Sequence, residues 1–155
     1  MKKYELTAES IVKFGRTLFR IKALVAFENV EEGELGGFVE KEGNLDQSGD
    51  AWVSGDARVY GDALVYGNAQ VYGNAQIFKM SHYVVAGPLG SRDDFTTFFR
   101  TKHHTIGVKC GCFRGNTDEL LKAVETVHGD NKHAQAYKAA VDLAKLQIDL
   151  SEYPL

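Results

Sequence analysis

Basic and hydroxyl-bearing side chains are concentrated between residues 90 and 117 of this 155-residue chain. Guanidinium groups bind phosphate or carboxylate through paired hydrogen bonds, and the free backbone N–H groups at a helix start supply further donors. A glycine before the cluster lets the backbone approach a ligand closely. The pattern predicts an anion-binding site. Its candidate ligand-binding residues are Ser91, Arg92, Arg100, Lys102, His103, His104, Arg114, Asn116 and Thr117.

Two interpretations of this basic cluster stay open. In the first, it captures a phosphorylated small molecule such as a nucleotide. In the second, the arginines only form ion pairs with the acidic residues that follow them, for example Arg92 with Asp93 or Asp94. Titration with cyclic and linear nucleotides distinguishes the two, because only the first predicts binding.

The only two cysteines, Cys110 and Cys112, are spaced in a way that disfavours most thiol chemistry. On a strand they project to one side, but so close a pair is awkward for a disulfide. Two thiols alone do not form a zinc site, and their spacing from His103 and His104 matches no familiar zinc motif. The sequence therefore predicts buried, reduced thiols, with no metal and no cofactor.

The charge along the chain is uneven. Residues 1–27 and 79–115 each carry +4, whereas residues 28–78 between them carry −8. An acidic middle disfavours direct DNA binding, because the DNA backbone is itself negative, although it could mimic nucleic acid in a basic groove of a host protein. The first residues, Met-Lys-Lys-Tyr-Glu-Leu-Thr, do not resemble a signal peptide or an apolar membrane span. We therefore expect a cytoplasmic protein without membrane contact.

Residues 49–78 consist of five consecutive hexapeptides, from Gly-Asp-Ala-Trp-Val-Ser to Gly-Asn-Ala-Gln-Ile-Phe. The third and fifth positions are alanine and valine or isoleucine. Residues two apart in a strand point to the same face, so these side chains are predicted to stack inward. A strict six-residue period is typical of a parallel β-helix. We therefore predict a hexapeptide-repeat β-helix over residues 37–80.

Large aromatic side chains take outward positions of the repeat. Extensive exposed apolar surface is uncommon on monomers, so this wall is expected to be covered. A homotrimer packed along the wall is the favoured prediction, and coverage by flanking segments of the same chain is the alternative. The predicted oligomer interface contains Trp52, Tyr60, Tyr66, Tyr72 and Phe78.

The segments on either side of the repeat have different compositions. Residues 1–36 contain two β-rich runs around Gly15 and Arg16, which predict an N-terminal β-hairpin cap. Residues 81–155 are predicted to form an α/β module with strands over 83–86, 96–101 and 105–110. Two helices follow, one from Asn116 or Thr117 to Gly129, and one from about Asp130 until Pro154 prevents its continuation.

Several of these motifs carry a family resemblance. The opening Tyr-Glu-Leu-Thr, the later Leu-Gly-Gly-Phe-Val-Glu and the Gly-Asp-Ala-x-Val-Tyr units resemble hexapeptide-repeat proteins encoded by phages and prophages of Gram-positive bacteria. The tail, with Cys-Gly-Cys-Phe-Arg-Gly-Asn-Thr-Asp-Glu-Leu, resembles the C-terminal domain of many of them. The resemblance implies trimers, a left-handed coil and a location in the bacterial host cytosol. The predicted fold is mainly β, a short left-handed parallel β-helix between the hairpin cap and the α/β module.

The favoured function is a non-enzymatic, trimeric phage accessory protein. It would capture a phosphorylated small molecule or block a host anti-phage defence factor. The enzymatic alternative is an acyltransferase of the hexapeptide-repeat class. The resemblance implies a histidine general base for such an enzyme. His82 is the first candidate, and His103 and His104 are further candidates. The repeat has few coils and no long loop, which disfavours acyl transfer. A structural trimer of a phage is the third alternative.

Overall fold

The computed structural model describes residues 2–151. Within them the chain forms three sheets and two α-helices, and none of these helices is long and apolar enough to cross a membrane. The strands are β1 (Tyr4–Lys13), β2 (Arg16–Ala23), β3 (Leu35–Val39), β4 (Trp52–Val53), β5 (Arg58–Val59), β6 (Gln70–Val71), β7 (Gln76–Ile77), β8 (Tyr83–Leu89), β9 (Asp94–Arg100), β10 (Ile106–Cys110) and β11 (Phe113–Asn116). The helices are α1 (Thr117–His128) and α2 (Lys132–Gln147).

The N-terminal hairpin and part of the repeat share one mixed sheet. β1 and β2 pair antiparallel across a turn at Phe14 and Gly15, whose φ angles of 56° and 73° match a two-residue hairpin turn. β2 also pairs antiparallel with β3. β3 then pairs parallel with β5, and β5 with β7, giving the order β1-β2-β3-β5-β7. The hairpin therefore extends the sheet of the repeat and is not a separate cap.

The hexapeptides pair with one another in register. β4 lies parallel to β6 with Trp52 opposite Gln70, and β5 lies parallel to β7 with Arg58 opposite Gln76. The side chains at the third and fifth positions are buried in one hydrophobic cluster. The inward direction predicted for them is confirmed.

The prediction of a mainly β protein built on a short left-handed parallel β-helix is wrong. The structure is α/β, with a mixed five-stranded sheet, a four-stranded antiparallel sheet, the pair β4–β6 and two C-terminal helices. The repeat strands are only two residues long and divide between two sheets. β2 pairs with one edge of β3, and β5 pairs with the other. The repeat strands β5 and β7 therefore continue a sheet that begins with the antiparallel hairpin β1–β2.

The antiparallel sheet β11-β10-β9-β8 separates two hydrophobic cores. Successive residues of a strand point to opposite faces. Phe99 of β9 therefore joins the core formed by the alanine and valine side chains of the hexapeptides, here called the repeat core. Phe98 joins the core formed with the apolar faces of α1 and α2, here called the helix core. The sheet is the layer through which the tail contacts the repeat.

Both helices begin close to their predicted starts, and an asparagine side chain caps each of them. The Asn116 side chain accepts a hydrogen bond from the Glu119 backbone N–H at 2.8 Å, and α1 ends at Gly129 with φ 65°. The Asn131 side chain accepts from the backbone N–H groups of His133 and Ala134 before α2. Pro154, the predicted end of the second helix, lies outside the described residues, and α2 itself ends at Gln147.

Candidate anion-binding site

A cavity of about 370 Å³ lies where the turn after β9 meets the hexapeptides, and it is here called the repeat cavity. Its lining comes from repeat positions 18 residues apart, together with one lysine of the turn. Close stacking of the corner backbones shapes it, since a methyl group added at Gly55 would lie 3.1 Å from the Gly73 nitrogen. The lining residues are Gly55, Asp56, Arg58, Gly73, Asn74, Ala75, Gln76 and Lys102.

Backbone hydrogen bonds hold Lys102 at this cavity. The Lys102 N–H donates to the Asn74 carbonyl oxygen at 2.9 Å, and Thr101 forms an antiparallel bridge with Ala75. The hydroxyl groups of Thr101 and Thr105 lie 2.7 Å apart and close the turn. The tail therefore adds a positive side chain to a surface formed by the repeat.

Arg58 supplies the second positive charge of the repeat cavity. Its Nε is buried and has no hydrogen-bond acceptor among residues 2–151. Neither Arg58 nor Lys102 takes part in an ion pair within the described part of the chain. Among residues 2–151, Asp56 is the only carboxylate in the lining. Two cations and one carboxylate therefore give the lining a net positive charge.

The positive charge extends from this cavity toward Tyr60. Burial raises the pKa of the Tyr60 hydroxyl to about 12. The positive charges of Arg100, Arg16 and Arg58 lower the same pKa in part, which shows that all three guanidinium groups lie near that hydroxyl. Arg16 is paired with Glu40 at 2.9 Å. Arg100 is fully buried, with its guanidinium 5.2 Å from the centre of the Phe78 ring.

A second cavity on the repeat has the opposite character. It measures about 190 Å³, and four carboxylates contribute to its lining together with Lys109. A hydrogen bond to Asp50 raises the pKa of Glu28, as does the charge of Asp50. This cavity is unsuited to an anion, which leaves the repeat cavity as the anion-compatible one of the two. Its carboxylates are those of Glu28, Asp50, Asp93 and Asp94.

The predicted ligand-binding residues of the tail do not converge on one cleft. Arg92 lines a cavity beside the helices, and the Arg114 guanidinium lies 5.1 Å from the centre of the Tyr72 ring. Arg100 is buried, as described above. His103 and His104 follow Lys102 in the same turn, but Lys102 is the only one of the three in the lining of the repeat cavity.

The helix start predicted as part of the anion site is already occupied by the chain itself. The Glu119 carboxylate accepts a hydrogen bond from the Asn116 N–H at 3.0 Å, and the Asn116 side chain accepts one from the Glu119 N–H at 2.8 Å. Thr117 is buried, and Ser91 is exposed in the turn between β8 and β9. Because Glu119 places a negative charge at the N-terminus of α1, this end disfavours a second anion.

His82 is placed where it cannot act as a general base. Its ring is fully buried and lies edge-on against Phe78, and Nδ1 accepts hydrogen bonds from the backbone N–H groups of Phe78 and Lys79 at 3.1 and 3.2 Å. Burial, followed by the charges of Arg100 and Lys79, lowers the pKa of His82 to about 4. The imidazole is therefore a neutral packing group at pH 7, which removes the first candidate base of the acyltransferase alternative.

The aromatic side chains predicted for an oligomer interface are mostly covered by the same chain. Trp52 and Tyr60 are 2% and 1% exposed. Phe27 packs against the Trp52 ring, and Phe14 stacks on Tyr60. The N-terminal segment therefore covers these two rings within the same chain.

The other three aromatic side chains differ in exposure. Tyr72 and Phe78 are half-buried, with Tyr72 against Phe99 and Phe78 against Tyr60. Tyr66 is 51% exposed. The homotrimer itself stays a prediction, and Tyr66 is the member of the predicted interface with the most free surface.

Arg58, Asn74 and Gln76 were not predicted from the sequence as site residues. The available signal was the variable fourth position of the hexapeptide, where Arg58 and Gln76 stand 18 residues apart and lie opposite each other on parallel strands. Residues at the same repeat position and 18 residues apart share one surface of a parallel repeat. The pairing of Arg58 with Gln76 could therefore have been predicted from the sequence. Lys102 was predicted, but its neighbours in the site were not.

Comparison with known proteins adds no homologue to this description. No protein-family model matches the chain, and no curated protein matches it. The function is therefore inferred from the arrangement of Arg58, Lys102 and the amide side chains around the repeat cavity.

Proposed function

We propose that the protein is a non-enzymatic binding protein that captures a phosphorylated small molecule in the repeat cavity. The observation that carries this proposal is the meeting of Arg58 and Lys102 at one cavity, since neither forms an ion pair within residues 2–151. A guanidinium and an ammonium group together match a phosphate, because one offers paired donors and the other a compact charge.

The size and remaining lining of the cavity support a small molecule. A volume of about 370 Å³ lies at the lower end of the range of small-molecule sites, which is about 300–1,000 Å³. The Asn74 and Gln76 side chains carry amides, which both donate and accept hydrogen bonds. They are suited to the uncharged part of the ligand, such as a sugar or a base, while the two cations hold the phosphate.

Binding without turnover is supported by the side chains that line the cavity. Within residues 2–151, they include no serine, cysteine or histidine, so the usual nucleophiles and the usual general base are missing from the lining. His82, which follows the repeat, is buried and neutral. We therefore favour capture over acyl transfer.

The resemblance to phage-encoded hexapeptide-repeat proteins supports a biological setting for this proposal. A phage protein that binds a phosphorylated small molecule could withdraw a nucleotide signal from a host defence system. In this proposal the protein acts by stoichiometric capture in the host cytosol, and a trimer would carry three such cavities.

Calorimetric titration tests the proposal directly. The titrants are adenosine 5′-monophosphate, a panel of cyclic and linear nucleotides and inorganic phosphate, with adenosine as the unphosphorylated control. We expect at least one phosphorylated compound to bind and adenosine to bind at least tenfold more weakly. Absence of binding by every phosphorylated compound would overturn the proposal.

Three variants locate the site. Arg58→Gln and Lys102→Gln are each expected to weaken binding about tenfold or more, because a hydrogen bond to a charged group contributes about 1.5–3 kcal/mol. Asp56→Asn is expected to strengthen binding, since it removes the one carboxylate of the lining. Arg92→Gln, at a different cavity, is the matched control and leaves binding unchanged. Equal losses in Arg92→Gln and Arg58→Gln would place the site elsewhere.

A further inference from the structure

The Cys-Gly-Cys sequence forms the tight turn between β10 and β11. Cys110 is the last residue of β10 and pairs with Phe113, so Gly111 and Cys112 are the two residues of the hairpin turn. Gly111 has φ 57°, a conformation that suits glycine at such a turn. Both cysteines are free thiols, with Cys110 half-buried and Cys112 exposed.

Both thiols face the same cavity, here called the thiol cavity. It measures about 200 Å³ and lies between the turn and the helices. The Cys110 Sγ lies 3.7 Å from the Tyr137 hydroxyl oxygen in its wall. Cys112, at the turn itself, lines the same space. The turn therefore places both cysteines in the wall of one cavity, with Cys112 exposed to solvent.

The distance between the two backbones permits a bond between these sulfur atoms. Two residues span at most about 7 Å when fully extended, and a tight turn shortens that span. Disulfides form between Cα atoms about 4.4–6.8 Å apart. The glycine between the cysteines gives the turn the freedom to adjust. Two cysteines at this spacing in an extended strand would be poorly placed for a disulfide. The turn between β10 and β11 brings them into an arrangement in which the bond can form.

Charged side chains lie beside the turn. The Lys109 ammonium donates a hydrogen bond to the Gly111 carbonyl oxygen at 2.9 Å and interacts electrostatically with both thiol groups. Arg92 and Asp94 both contribute to the wall of the thiol cavity. Polar and charged groups therefore surround the two cysteines on the open side of the turn.

We propose that Cys110 and Cys112 form a dithiol that undergoes thiol–disulfide exchange with a low-molecular-weight disulfide. The exposed Cys112 thiolate attacks one sulfur of the disulfide RS–SR, forms a mixed disulfide and releases the first thiolate RS⁻. Cys110 then loses its proton to solvent, and its thiolate attacks the Cys112 sulfur and releases the second RS⁻. The protein dithiol is oxidised to an intramolecular disulfide, and RS–SR is reduced to two thiols.

Oxidised glutathione is the probe that tests the proposal. Reduced full-length protein is incubated with it at neutral pH, and intact mass is followed after acid quenching. We expect the final product to have lost two hydrogens and to carry no glutathione, with both thiols absent in a thiol assay. A product that retains glutathione on Cys112, or a protein that stays fully reduced, would overturn the proposal.

Single cysteine variants separate the two roles. Cys110→Ser is expected to accumulate a stable glutathione adduct on Cys112, because the resolving thiol is missing. Cys112→Ser is expected to react at least about tenfold more slowly, because the remaining thiol is half-buried against Tyr137. Equal rates in both variants contradict the assigned order of attack. Circular dichroism of each variant confirms that the helices above the thiol cavity remain folded.

Discussion

The repeat core and the helix core lie on opposite faces of one sheet but are packed in different ways. In the repeat core, the inward positions of the hexapeptides carry only alanine, valine and isoleucine, stacked at a fixed spacing. In the helix core, Phe98, Leu120 and Tyr137 pack among the alanine side chains of α2. The backbones of the repeat approach so closely that an added methyl group at Gly36 would lie 2.5 Å from the Val53 carbonyl oxygen.

The two cores are therefore sensitive to different substitutions. Close backbone contacts beside the repeat core leave little room for added atoms, for example at Gly36 and Gly55. In the helix core, side chains of two amphipathic helices fill the space against the sheet, so loss of side-chain volume is the main hazard. β9 connects the two, because adjacent residues of this strand point into different cores.

The largest expected effect comes from truncating the two phenylalanines of β9. Phe98→Ala and Phe99→Ala are each expected to lower the free energy of unfolding by about 3–5 kcal/mol, since both rings are at most 1% exposed. Urea denaturation is followed by fluorescence of Trp52, the single tryptophan, which lies in the repeat core, and by helical circular dichroism. Both signals should shift together in both variants. Separate transitions for the two signals would show that β9 does not couple the cores.

Adding one methyl group to the repeat core is expected to be nearly as costly. Gly36→Ala places a Cβ 2.5 Å from the Val53 oxygen and 2.7 Å from Ile21, so we expect a loss of about 3 kcal/mol or more. Gly43→Ala is the matched control, because its nearest neighbour is a flexible Lys41 carbon at 4.0 Å. Thermal unfolding of both variants measures the difference. Equal melting temperatures would contradict the tight packing described for this core.

His82 is expected to make stability depend on pH. Its pKa is about 4 in the folded protein and near 6.5 when unfolded, so the unfolded state binds the proton more readily between these values. The neutral buried imidazole therefore stabilises the fold above pH 6.5, and up to about 3 kcal/mol of that stability is lost as the pH falls to 4. Urea denaturation from pH 4 to 8 measures it. His82→Asn should remove this part of the pH dependence, and an unchanged profile would refute the assignment.

The smallest effect is expected at Tyr66. Because this ring is 51% exposed, Tyr66→Ser should change the free energy of unfolding by no more than about 0.5 kcal/mol. The same change at Tyr60, which stands at the equivalent repeat position and is 1% exposed, removes a buried ring and is the contrasting variant. Sedimentation of wild type and Tyr66→Ser tests the predicted homotrimer. A large loss of stability together with a change of oligomeric state would place Tyr66 in an interface.

Local features of the fold were predictable from the sequence. The hairpin around Gly15, the asparagine caps before both helices and the glycine at the end of α1 depend on residues that are close in the chain. β11 was missed because Phe113–Asn116 follows a two-residue turn and has no alternation long enough to recognise. The sheets were predicted wrongly, since strands of two residues carry no information about the partner to which they pair.

The candidate site was predictable only in part. Lys102 belongs to a visible basic cluster, whereas Arg58 is the only basic residue within the hexapeptides and has no basic neighbour in the sequence. Arg92 and Arg114 were predicted as anion-binding residues on the same grounds as Lys102, but they lie at other surfaces of the protein. Charge along a chain shows which segments are basic, but it does not show which side chains will meet.

The sequence determined the inward direction of the alanine, valine and isoleucine side chains of the repeat and the starts of the helices, because these depend on backbone periodicity and on hydrogen bonds between near neighbours. The tertiary structure decided which strands pair, which aromatic rings the N-terminal segment covers and which cations share a cavity. These outcomes depend on contacts between distant segments. Arg58 and Lys102 form one site because the turn after β9 docks on the hexapeptides through the Lys102 N–H and the Asn74 carbonyl oxygen.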